Sequence, residues 1–192
     1  MKKISKNEIT AVILAGGQAS RMDGEDKGLI VFRELPLISH VINITKPKVS
    51  QILISANRNF EEYANFGKVI SDDLEGYQGP LAGISKALKV CSTPYLLVLP
   101  CDSPLIDAAL IDSLIEKMEI SNVDICVAHD GSIMHATFAL MQTKLEKSLE
   151  EFLGEGGRKM ALWYRQQSLE RIDVSSHLEV LTNINRPEDF NL

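Results

Sequence analysis

The sequence predicts one three-layer α/β domain with a mostly parallel central sheet, spanning residues 1–192. Three observations carry that expectation. Apolar runs of strand length alternate with longer segments of helical spacing from Ile9 onward, the pattern of βαβ units. The runs are nearly continuous rather than alternating, as in strands covered on both faces. No repeat, low-complexity stretch or linker divides the 192 residues, a length that suits a single core.

Ile9 to Leu14 reads as the first buried strand, and Pro36, with its fixed φ, opens a helix towards Lys46 from its first position. Gln51 to Ser55 is a second strand, Lys68 to Ile70 a short third and Tyr95 to Leu99 a strong fourth. Leu81, Ile84 and Leu88 recur at helical spacing between the last two. Leu105 to Met118 is the clearest amphipathic helix, with Leu110, Ile111, Leu114, Ile115 and Met118 on one stripe. Beyond it, Val123 to Val127 and Thr137 to Met141 read as strands, with helices near Lys144 to Phe152 and Arg158 to Arg165.

Charge and composition exclude several classes. A net charge of -6 opposes nucleic acid as the main partner, because that binding relies on clustered Lys and Arg releasing phosphate counterions. Only 6% of residues are aromatic, which leaves little for base stacking. An ordinary apolar fraction of 45%, without long like-charge blocks, excludes a disordered chain. Cys91, Cys101 and Cys126 lack CxxC spacing and read as small core residues in a reducing compartment. Lys2 and Lys3 precede the apolar run Ile9 to Ala15, but Glu8 abuts it and Arg21, Asp23, Glu25, Asp26 and Lys27 follow, the wrong flanks for a signal sequence. No stretch approaches the ~18 apolar residues of a membrane span. A cytoplasmic location without a membrane partner is therefore expected.

Parallel sheets bind ligands beyond the carboxyl ends of their strands, and those ends are where the chemistry collects. The first strand runs into Gly16 and Gly17, then Arg21 and Lys27. Paired glycines let backbone N–H groups cradle an anion beside fixed positive charge, so a phosphate-bearing ligand is one reading. A glycine turn with solvated charges is the other, and the local motif does not separate them, since neither a P-loop nor a strict GxGxxG is present. The fourth strand ends in Pro100-Cys101-Asp102-Ser103-Pro104. Asp102 either caps a helix beginning near Pro104 or supplies a hard oxygen to magnesium, which prefers one or two carboxylates plus substrate phosphates. The third strand delivers Asp72 and Asp73, followed by Gly79-Pro80-Leu81-Ala82-Gly83, in which Pro80 suits a helix start and Gly83 lets a flat ligand approach the backbone.

In this order the motifs resemble molybdenum cofactor guanylyltransferases, the MobA family. LAGG, Arg21-Met22, Asp26-Lys27, GPLAG at residues 79–83 and PCDSP at 100–104 carry the resemblance. It continues through His129-Asp130-Gly131, His135-Ala136-Thr137 and the run Asn183 to Asp189, and so covers nearly the whole chain. The resemblance implies a Rossmann-like nucleotidyltransferase fold and transfer of GMP from GTP to molybdenum-molybdopterin, releasing pyrophosphate. It implies that Leu14, Ala15, Gly16 and Gly17 hold the nucleotide together with Ser55, Gly79, Pro80 and Leu81. It also implies that Lys27, joined by Arg21, binds phosphates, that Asp72 binds the guanosine, that Asp102 binds Mg2+, and that Asn183 and Asn185 serve the pterin side. Transient contacts with cofactor-biosynthesis proteins or acceptor molybdoenzymes follow from the same resemblance. Three positions depart from the family: Asp23 stands where Gly is frequent, Ser55 where Asn serves, and Ala136 where Pro is common.

The four histidines form no evident nucleophile pair: His40 reads as a helix residue, His177 as a surface one, and His135 as either a pterin contact or strand-edge packing. Gly154 to Lys159 reads either as a second phosphate contact through Arg158 or as a junction between helices. Another nucleotidyltransferase, for CTP with molybdopterin or for a sugar or polyol phosphate, is the nearest alternative; by the same resemblance, LAGG in place of LAAG and the GPLAG run point to guanine. A nucleotide-binding regulator without chemistry is the other, and Lys27 with Asp102 speaks against it.

Overall fold

A computed structural model of the chain describes residues 3–16, 26–71, 79–185 and 189. Strands β1 (Ile9–Leu14), β2 (Val31–Phe32), β3 (Leu35–Pro36), β4 (Gln51–Ser55), β5 (Lys68–Ile70), β6 (Tyr95–Pro100), β7 (Ile125–His129), β8 (Met134–Gln142) and β9 (Leu169–Asp173) are interleaved with six α-helices. These are α1 (Leu37–Thr45), α2 (Phe60–Ala64), α3 (Pro80–Val90), α4 (Ala108–Ser121), α5 (Glu146–Gly154) and α6 (Met160–Tyr164).

Seven strands form one sheet in the order β5-β4-β1-β6-β8-β7-β9. All neighbours are parallel except β8, which runs against both β6 and β7. The sheet is thus mostly parallel, as the apolar runs predict. Side chains alternate across it: Ala11 and Ile13 of β1 pack with α1 and α4, whereas Val12 packs with α3, α5 and α6 on the other face. Each face is sealed by large buried residues, among them Ile38, Leu114 and Met118 on one side and Leu81, Ile84 and Trp163 on the other. Fully burying one such side chain is worth roughly 1.5–3 kcal/mol, so the two layers supply most of the drive to fold.

The structure differs from the sequence expectation at several boundaries. Pro36 closes the short β2–β3 hairpin and stands just before α1 instead of inside its first turn. Helix α4 begins at Ala108, because Asp107 accepts a hydrogen bond from Leu110 N at 2.9 Å and so caps it. Leu105 and Ile106 therefore precede the helix, and the cap is five residues beyond Asp102. Strand β9 and the β2–β3 hairpin were not expected.

Candidate active site

The parallel ladder continues past β1 into the loop that follows it. Ala15 N donates to Ser55 O at 2.8 Å, and Leu14 O accepts from Cys101 N at 3.1 Å. The amide of Ala15 is thus committed to the sheet, and an anion cradle on this loop begins at Gly16. Among the described residues, a Cβ built at Gly16 would meet Asn57 Nδ2 and Ser55 O, each at an ordinary 3.7 Å. Gly17, Arg21 and Asp23 lie outside the described residues.

The chain then returns to the carboxyl edge of the sheet at Lys27, in a single 3-10 turn (Lys27–Leu29). Lys27 Nζ lies 3.4 Å from Asp102 Oδ2 and donates to Asn185 Oδ1. Two residues before Asn185, Asn183 Oδ1 accepts from Ser103 Oγ at 2.5 Å, and between them Ile184 N donates to Asp102 O at 2.8 Å. Asn185 N in turn donates to Asp189 Oδ2 at 2.7 Å. Asn185 thus sits on Lys27 itself, and Asn183 on Ser103, the residue after Asp102. A loop after β1, the end of β6 and a segment near the carboxyl terminus meet at one place.

Burial pushes the Asp102 carboxyl above its ordinary value, and Lys27 opposes that shift by charge and hydrogen bonding. A half-buried carboxylate of this kind is stabilised by any further cation, and its oxygens suit a hard divalent ion. Among the described residues no three His, Cys, Asp or Glu side chains converge to hold a metal on their own. Asp102 therefore fits as one carboxylate ligand of an ion whose remaining positions substrate phosphates can fill.

The glycines at the start of α3 have distinct physical reasons. Gly79 has φ +77°, and among the described residues nothing lies within 4 Å of where its Cβ would be, so its backbone conformation is the reason for glycine just before Pro80 starts α3. A Cβ at Gly83 would come 2.1 Å from Ser55 Oγ and 3.5 Å from Leu14 Cδ2. Gly83 is thus the contact that lets α3 pack on β4, not an opening for a flat ligand. Ser55 is buried against it. Leu81 has its side chain wholly in the core, leaving only its backbone for a ligand. Asp72 lies outside the described residues.

One group escaped the sequence reading. Asp26, itself buried, accepts from the Tyr63 hydroxyl, from Arg58 Nε at 3.0 Å and from Asn59 Nδ2 at 3.2 Å. Burial, then Cys101 and Asp26, push the Tyr63 hydroxyl far above its usual range, so it stays a donor. A buried acid just before Lys27 was the available signal, since such acids need partners.

The histidines have structural partners. His40 Nε2 lies 2.8 Å from Phe32 O, His135 Nε2 lies 2.7 Å from Asp130 Oδ2, and His177 faces Asp107 and Glu179. Arg158 Nη1 donates to the carbonyls of Leu153 and Gly157 at the end of α5.

The sequence profile of the "MobA-like NTP transferase domain" matches residues 11–171. A molybdenum cofactor guanylyltransferase of Shewanella sediminis is 44% identical over 94% of this chain and 93% of its own length. One from Shewanella putrefaciens is 43% identical over the same shares. Among solved structures, molybdopterin-guanine dinucleotide biosynthesis protein A of Archaeoglobus fulgidus superposes with a TM-score of 0.78 over 95% of each chain; at 20% identity it speaks for the fold. With a mostly parallel sheet, a glycine turn after β1 and the Lys27 and Asp102 pair at its edge, the chain belongs to the MobA-like nucleotidyltransferases, beside the molybdenum cofactor guanylyltransferases.

Proposed function

We propose that this enzyme transfers GMP from GTP to the terminal phosphate of molybdenum-molybdopterin, forming the guanine dinucleotide cofactor and pyrophosphate. The reading rests on one observation above others: Lys27 and Asp102 meet at the carboxyl edge of the sheet, in a chain 44% identical to a guanylyltransferase over 94% of its length.

The chemistry follows from charge. An oxygen of the acceptor phosphate forms a bond to the α-phosphorus of GTP, the bond from that phosphorus to the bridging oxygen breaks, and its electron pair leaves with pyrophosphate. The acceptor is already ionised, so no side chain has to remove a proton. Lys27, with Arg21, binds the phosphates and stabilises the growing charge on the leaving group, which is where such reactions gain most of their rate. Gly16 and Gly17 offer backbone N–H groups to the same phosphates, with Leu14 and Ala15 fixing the start of that loop. Ser55, Asp72, Gly79, Pro80 and Leu81 border the guanosine. Asn183 and Asn185 bind the molybdopterin side, and Asn185 also holds Lys27. Asp102 holds Mg2+, which when bound neutralises phosphate charge and aligns the triphosphate.

In this reading residues 1–192 act as one domain in the cytoplasm, meeting the proteins that supply molybdopterin or receive the product only transiently. No helix among the described residues is long and apolar enough to cross a membrane.

Pyrophosphate release with each of the four nucleoside triphosphates, with magnesium and with or without molybdopterin, tests the proposal. Release is expected with GTP and only when molybdopterin is present. Equal release with CTP would move the assignment to a cytidylyltransferase, and no release with any nucleotide would leave a binding protein.

A further inference from the structure

We infer that Asp26, Tyr63, Arg58 and Asn59 form a lock that positions Lys27 for the nucleotide, with Asp26 a positioning residue and not a ligand. The inference rests on the reading that Lys27 binds GTP phosphates, and adds what holds it there.

The geometry has three parts. First, Asp26 is fixed by its side chain. Its Oδ2 accepts from Arg58 Nε at 3.0 Å and Asn59 Nδ2 at 3.2 Å, and its Oδ1 accepts from the Tyr63 hydroxyl. A carboxylate so engaged and only 7% exposed has little left to offer a ligand. Second, the same residue begins the turn that carries Lys27. Asp26 O accepts from Leu29 N at 2.9 Å, so pinning Asp26 pins the start of that turn. Third, the next residue is a seam. A Cβ at Gly28 would lie 2.6 Å from Tyr63 Oη and 3.3 Å from Cys101 Sγ. The Lys27 segment, the wholly buried Tyr63 of α2 and the end of β6 thus touch at Gly28, and the residue after Cys101 is Asp102.

Asn59 has a further reason to be where it is. It takes the left-handed conformation, φ 51°, immediately before α2, and asparagine tolerates that better than most residues. The tight bend after Arg58 lets neighbouring side chains, Arg58 and Asn59, reach the same carboxylate oxygen. The segment 55–63 therefore has a second task besides joining β4 to α2: it clamps the far end of the glycine loop.

Tyr63→Phe is the test, because it removes one hydroxyl and keeps the ring in the core. GTP binding is measured by calorimetry with magnesium and without molybdopterin in wild type, Tyr63→Phe, Lys27→Ala and the double variant. Loss of one hydrogen bond to an ionised group predicts about tenfold weaker GTP binding in Tyr63→Phe. In the Lys27→Ala background the same change should have little further effect, because Tyr63 acts through Lys27. Gly28→Ala, which presses on the hydroxyl from the other side, should weaken GTP similarly. In steady state Tyr63→Phe should raise KM for GTP and leave KM for molybdopterin unchanged, a split that general loosening would not give. Unchanged GTP affinity in Tyr63→Phe, or equal weakening with and without Lys27, overturns the lock. Failure of wild type to bind GTP overturns the proposed function instead, and is seen before any variant is compared.

Discussion

A methyl group added at residue 83 would sit 2.1 Å from the Ser55 hydroxyl oxygen, inside contact distance, so α3 or β4 has to move. Gly83→Ala is expected to cost about 1–3 kcal/mol of stability by overpacking, read as a lower urea midpoint with unchanged slope. The sequence marks Gly83 as unusual in a helix but not why, because its partner lies 28 residues earlier on a different element. Other single residues speak for chemistry. Lys27→Ala should raise KM for GTP and lower kcat together. Asp102→Ala should abolish magnesium-dependent transfer while circular dichroism stays native; turnover near wild type would remove the metal assignment. Burial pushes the Cys126 thiol up to about 11 and raises the buried Cys101 well above its usual value. Only the partly exposed Cys91 should then react quickly with a thiol reagent at pH 8 in the native protein, against all three in urea.

At the scale of elements, apolar runs located the strong strands, since β1 and β6 are buried along nearly their whole length and β4 over its second half, with Thr10 the one polar residue inside β1. Strand β9 was illegible for the opposite reason. At the sheet's edge it buries only Ile172, and Glu170 and Arg171 interrupt any apolar pattern. The start of α4 was misplaced because Leu105 and Ile106 extend the apolar stripe ahead of the helix, while the boundary is set by a hydrogen bond from Leu110 N to Asp107. Asp107→Ala should therefore destabilise the protein by about 1 kcal/mol, measured by thermal or urea unfolding.

Across the whole molecule, the strand ends showed which edge would gather the candidate residues, because a parallel sheet collects its loops on one edge. What joins them was not legible: the Asn185 contact to Lys27 spans 158 residues and the Tyr63 contact to Asp26 spans 37, and neither leaves a local pattern. The segment carrying the asparagines is itself held by packing, with Ile184 buried against Phe32 and Leu37. Ile184→Ala should cost about 2–5 kcal/mol by leaving a cavity, and should weaken GTP binding as well, because it loosens the segment that holds Asn185 on Lys27. Calorimetry and urea unfolding on the same sample would show both effects. The late arrival of that segment also bears on how the protein is made. A ribosome has to deliver residue 185 before Lys27 gains its asparagine, so a nascent chain can complete its sheet, whose final strand is β9, while the Lys27 and Asp102 pair is still open, and nucleotide affinity should appear only once residue 185 has emerged.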